Sequence, residues 1–113
     1  VWRVENIDSR CEGKKEPPCG TAVNTPPTIV GDVVFVGLID GTLRAYAIDN
    51  GSEVWVYDTV RDYEGVNGLK GRGGSLGNGG PVVVGDRLYI NSGFNILNVG
   101  MAGNVLLSFE IPQ

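Results

Sequence analysis

A chain of 113 residues has the length of one domain, and 42% apolar residues with a mean hydropathy of +0.01 permit a packed core and argue against disorder. Nine basic against thirteen acidic residues give a net charge of −4 with no basic run longer than Lys14-Lys15, which excludes the usual electrostatic footprint of a nucleic-acid binder. No apolar run is long enough to span a bilayer, and the absence of histidine excludes Ser-His-Asp or Cys-His catalysis and imidazole metal ligation.

The first residues, 1–5, read as an outer β-strand centred on Trp2, without the layout of a signal peptide, so any export signal would lie outside this sequence. Cys11 and Cys19 follow, enclosing a polar, proline-containing segment. That spacing fits a small loop-closing disulfide in an oxidising compartment, with two free thiols as the alternative. It does not fit a Cys-x-x-Cys metal or redox pair.

An internal repeat then organises the chain. Residues 27–36 align without a gap with residues 81–90, 54 positions on. Each copy reads as strand, Gly-Asp turn (Gly31-Asp32 and Gly85-Asp86), strand, because a two-residue hairpin turn needs the positive φ that glycine and aspartate tolerate. Residues 41–47 match residues 103–109 as a third strand at an offset of 62, about eight extra residues in the second copy. A fourth strand, 53–57, follows the turn Asp49-Asn50-Gly51, and Trp55 stands 53 positions after Trp2.

Four antiparallel strands in a period near 54 predict an all-β chain of β-propeller blades, with a β-sandwich as the competing architecture. Val33 to Val36 are apolar at every position, as expected of a sheet covered on both faces. Trp2 and Trp55 are then wedges between blades. The expected organisation is an outer strand at 1–5, the Cys-bracketed loop 11–19, a blade over 26–58, a Gly-rich connection over 60–80 and an incomplete blade over 81–111. That amounts to about two blades of a larger propeller.

The string Ala47-Ile48-Asp49-Asn50-Gly51-Ser52-Glu53-Val54-Trp55, with Asp40-Gly41 before it, resembles the repeat of PQQ-type propellers. Gly73-Gly74-Ser75, Gly80-Pro81 and the strands beginning near Leu88 and Val105 are similar to the C-terminal blades of polyvinyl-alcohol-dehydrogenase-like quinoproteins. The resemblance covers roughly residues 25–110. It implies a periplasmic or secreted ring that in some members holds pyrroloquinoline quinone (PQQ) and calcium in its channel, oxidises alcohols and passes electrons to a cytochrome. Other members keep the ring without a cofactor and serve as noncatalytic scaffolds or interaction modules in the cell envelope or outside the cell. The adjacent Cys-Cys that some such dehydrogenases place beside the quinone is absent. Two blades close no ring, so the partners expected are the remaining blades or other copies of the chain, and the chain alone is expected to be inactive.

Residues 65–80 contain eight glycines together with Lys70, Arg72, Ser75 and Asn78 and lead into the innermost strand of the second blade. Lys70 and Arg72 would pair with the carboxylates of a quinone or another anion, with Ser75 alongside; a ligand-free flexible connection is the other reading. Asn91, Ser92 and Asn95 end a strand where they would contact a ligand or satisfy a turn. Asp58, Asp62 and Glu64 would either gather a hard cation or lie on a solvated loop. No residue is assigned to a metal on motif grounds.

Overall fold

The computed structural model describes residues 1–3, 23, 25–77, 79–93 and 100–111. Cys11, Cys19, Asn78, Asn95 and residues 4 and 5 lie outside the described residues. The described chain is all-β, built from nine strands in three antiparallel sheets.

The first sheet is a four-stranded meander: β1 (Thr28–Val30), β2 (Val33–Gly37), β3 (Thr42–Ala47) and β4 (Glu53–Asp58), in that spatial order. Its local causes are those of the sequence. Gly31, at φ 60°, turns β1 into β2 with Val30 opposite Val33. Gly51, at φ 73°, donates its N–H to the Ala47 carbonyl at 2.8 Å, while the Asn50 side chain accepts the Ser52 N–H at 2.9 Å. β-Branched and aromatic residues fill the strands between these turns.

The second large sheet repeats the pattern with three strands, β7 (Val82–Val84), β8 (Arg87–Ser92) and β9 (Val105–Glu110). Both sheets have the form of propeller blades, and the described residues close no ring. Between them the connection is more than a loop, since β5 (Asp62–Glu64) and β6 (Lys70–Arg72) pair as a short hairpin. Residues 1–3 carry no strand; instead the Trp2 indole N–H donates to the Ile48 carbonyl and the ring lies over Gly51.

The register corrects the repeat. Gly37 stands opposite Leu43 in the first blade, and its equivalent Asn91 stands opposite Leu106 in the second. The third strands are therefore offset by 106 − 43 = 63 positions, against 91 − 37 = 54 for the second strands, so the β8–β9 loop is nine residues longer rather than eight. The difference of one residue matters because strand side chains alternate, and a slip of one moves each to the opposite face.

The blades stand side by side. Their inner strands adjoin, with the Thr28 hydroxyl donating to the Pro81 carbonyl at 2.6 Å. Farther out, aromatic rings fill the space between them: Phe109 meets Trp55 edge-on at 5.5 Å and Tyr57 at 4.9 Å, and Phe35 meets Trp55 at 6.1 Å. Trp55 is thus a wedge between blades. The core beneath this cluster consists of Leu43, Leu76, Leu88 and Ile90. Leu76 comes from the connection and is completely buried, a burial that contributes about 1.5–3 kcal/mol.

β8 alternates exposed and buried through all six residues, whereas β3 is buried at all but its last position. At β3 the first blade is therefore covered on both faces, whereas at β8 the second is covered on one. In each meander the tight glycine turns lie at one end of the sheet. The β2–β3 loop, the β4–β7 connection and the β8–β9 loop meet at the other.

Candidate functional site

The end where those three loops meet is held together by the segment 73–76, which bonds to both blades. The Ser75 hydroxyl donates to the Ile39 carbonyl of the first blade's loop and accepts the Met101 N–H of the second blade's loop at 2.6 Å. Ser75 N–H donates to Met101 O at 2.9 Å, Gly93 N–H to Ser75 O at 2.8 Å, and Leu76 N–H to Leu38 O at 3.1 Å. Residues 73–76 are all buried, so every one of these backbone groups needs a protein partner.

Two glycines permit the approach. A Cβ on Gly73 would lie 1.8 Å from the Thr59 carbonyl oxygen, and one on Gly74 would lie 2.2 Å from that of Met101. The Gly-rich connection is thus a packed strap at this point, with its glycines serving close backbone contact rather than flexibility.

Beneath the strap Thr59, fully buried, is a hub. Its hydroxyl lies within hydrogen-bond distance of Gly41 O, Gly74 O at 3.2 Å and the Ser92 hydroxyl at 2.8 Å. Each hydroxyl has one proton. With Thr59 donating to Gly41 O, Ser92 donates to Thr59 Oγ1 or to Gly74 O at 3.1 Å, and accepts the Gly74 N–H at 2.9 Å.

The expected site residues separate into two groups. Ser75 is buried and bonded on both sides, in a holding position. Lys70, Arg72 and Asn91 are exposed. Arg72 forms an exposed ion pair with Asp62 at 2.9 Å, and Lys70 stands in register with Glu64 across the hairpin. Asn104 fixes the Arg72 backbone, accepting its N–H at 2.9 Å through Oδ1 and donating its own N–H to Arg72 O at 2.9 Å. Asn104 and Asn91 in turn line a cleft of about 450 Å³ with Ser92, Gly77, Gly79 and Gly93. The Arg72 backbone is thereby tied to Asn104, a cleft-lining residue whose place only the fold reveals.

Asp62 and Glu64 are exposed on β5, and Asp58 accepts the Val60 N–H at 3.0 Å. Among the described residues, no three His, Cys, Asp or Glu side chains are grouped to hold a metal ion.

A second polar set lies inside the first blade. Asp40 is completely buried; its Oδ1 accepts both the Thr42 N–H at 2.9 Å and the Thr42 hydroxyl at 2.6 Å. Arg44, 5% exposed, donates through Nε to the Thr42 hydroxyl at 3.0 Å and lies 3.8 Å from Asp40 and 3.3 Å from Glu53. An arginine inside an otherwise apolar strand is the sequence signal for this set, because a buried cation requires partners.

Next to it, the Tyr46 phenol is raised above its ordinary value, chiefly by burial. Tyr63, whose hydroxyl donates to Thr59 O at 3.1 Å, is raised more strongly, by burial first and then by the hydrogen bond with Tyr57.

No protein-family profile matches the chain, and no solved structure matches it. Curated proteins do. It is 33% identical to a polyvinylalcohol dehydrogenase of a Pseudomonas species over 101 residues, which is 82% of this chain and 16% of that protein. The chain is similar to polyvinylalcohol dehydrogenases. A second, from Sphingopyxis sp. strain 113P3, is 26% identical over 121 residues, covering 98% of this chain and 18% of the relative. The outer membrane protein assembly factor BamB of Shewanella oneidensis is 44% identical over 39 residues, 34% of this chain and 10% of that protein. The chain thus spans less than a fifth of the length of the dehydrogenases it matches. No helix among the described residues is long and apolar enough to cross a membrane.

Proposed function

We propose that this chain forms two blades of a PQQ-type quinoprotein alcohol dehydrogenase outside the cytoplasm, and that the end bearing its three loops faces the cofactor channel. The observation that carries this reading is the 33% identity to a polyvinylalcohol dehydrogenase across 82% of the chain, over a segment that folds as two adjoining blades. The remaining blades of the ring, and a cytochrome as electron acceptor, are partners that the reading requires.

The exposed groups at this end suit an anionic quinone. Lys70 and the Arg72 guanidinium offer charge-assisted hydrogen bonds to its carboxylates, and the Asn91 and Asn104 side chains offer neutral ones. Arg72 would exchange Asp62 for the ligand, while Ser75 and Thr59 hold the loops in place. When bound, the quinone supplies the two-electron acceptor for alcohol oxidation.

The test is titration of the chain with PQQ, with and without calcium, followed by absorbance. Saturable binding that weakens in Lys70→Ala and Arg72→Ala supports the reading. No binding by a folded sample favours a second one, a noncatalytic scaffold or interaction module of the cell envelope, which the 39-residue similarity to BamB supports.

A further inference from the structure

The β5–β6 hairpin sorts its side chains by face. Tyr63 and Gly71 stand opposite each other and both turn inward: the Tyr63 hydroxyl donates to Thr59 O at 3.1 Å, and a Cβ on Gly71 would lie 2.7 Å from Val105 Cγ1. Strand alternation then puts Asp62, Glu64, Lys70 and Arg72 together on the outer face, where all four are exposed. The register sets Asp62 opposite Arg72 and Glu64 opposite Lys70. Two carboxylates thus stand against two cations, and one couple is already closed, with Asp62 2.9 Å from the Arg72 guanidinium. Asn104 holds the Arg72 backbone from the second blade, so this group of four keeps its place on the body of the chain.

We infer that Asp62 and Glu64 are built-in competitors at the anion site, standing where the carboxylates of a ligand would stand, so that a ligand displaces them only by presenting two carboxylates at once. The inference rests on the reading of Lys70 and Arg72 as anion-binding groups and adds what controls their occupancy. Cations two residues apart on one strand face lie about 7 Å apart, a span that the two carboxylates of one aromatic diacid bridge and a monoacid does not. The Asp62–Arg72 pair is 84% exposed on the aspartate side and 59% on the arginine side, and a pair so exposed is worth at most about fivefold in occupancy. It therefore yields to a ligand that engages both cations. Against a single carboxylate it prevails, because a tethered partner acts at an effective concentration on the order of millimolar.

The experiment titrates the full chain at low ionic strength with benzene-1,4-dicarboxylate and with benzoate, followed through the side-chain N–H resonances of Arg72. The diacid should bind more tightly than benzoate. The double variant Asp62→Asn/Glu64→Gln should bind the diacid roughly threefold to tenfold more tightly than the unaltered chain. A second double variant, Asp49→Asn/Asp86→Asn, changes the net charge equally but at exposed positions of the glycine-turn end, and should leave the affinity within about twofold. Four results would each overturn the inference: no binding of the diacid, benzoate binding as tightly, no tightening in the first variant, or equal tightening in the second. PQQ titrated in parallel separates the two readings. Tightened diacid binding without PQQ binding removes the quinone alone, whereas PQQ binding unaltered by Asp62→Asn/Glu64→Gln removes the competitors alone.

Discussion

The hydroxyls of Thr59 and Ser92 lie 2.8 Å apart in the interior, and through that contact the end of the first blade is tied to the last residue of β8 in the second. Both residues are nearly inaccessible, at 0% and 2% exposure. The pair is reinforced by Gly74, whose N–H and carbonyl both face the Ser92 hydroxyl. Two sheets that share no strand are thus joined by hydrogen bonds at one end and by aromatic packing between them.

Thr59→Val tests that tie. The substitution keeps the shape and removes the hydroxyl, so the Gly41 carbonyl keeps only the Thr59 N–H and the Ser92 hydroxyl only its bonds to Gly74. Loss of such a hydrogen bond, with the remaining groups still partnered, costs about 0.5–1.5 kcal/mol. Urea unfolding should show a lower midpoint with an unchanged slope; an unchanged midpoint would mean that packing alone holds the two blades.

Gly73→Ala and Gly79→Ala form a contrasting pair within one glycine-rich stretch. At Gly73 the added methyl meets backbone at 1.8 Å, whereas at Gly79 nothing lies within 4 Å. Gly73→Ala should give little folded protein by circular dichroism. Gly79→Ala should change stability by no more than about 0.5 kcal/mol. Equal effects would contradict the close approach of the strap to Thr59.

Alkaline pH should destabilise the fold. Tyr46 and Tyr63 both titrate above the ordinary value of 10.0, so the native state keeps protons that the unfolded chain releases. Stability is therefore full below pH 10 and falls as pH rises from there through the folded values. Tyr46→Phe isolates one contribution. The buried Tyr46 hydroxyl has Arg44 beside it but no partner in good hydrogen-bond geometry, so its removal should change stability little at neutral pH and should flatten the alkaline loss. Thermal melts between pH 8 and pH 11 measure both.

Much of the fold is legible locally. The Gly31-Asp32 and Gly85-Asp86 turns and the strands around them follow from the φ angles that such turns demand. The two blades follow from the repeat of those turns. The hairpin of β5 and β6 is less legible, since a three-residue strand reading Lys-Gly-Arg lacks the apolar alternation that marks a strand. Among the site residues, Lys70, Arg72 and Asn91 could be picked out as exposed polar groups by their loop and strand-end positions. The burial of Ser75 and the role of Asn104 could not, because both depend on backbone groups 26 to 36 residues away in sequence.

What the amino-acid sequence determined by itself was the repeating unit: turn chemistry and strand composition act between neighbours, so their consequences are visible without the fold. What only the tertiary structure decided was the pairing register of β9 and the conversion of a glycine-rich connection into a packed strap. Both arise from contacts between segments far apart in the chain. The registers of the two third strands differ by 63 positions rather than 62, and with side chains alternating across a sheet that single residue determines which of them face the first blade and which face away.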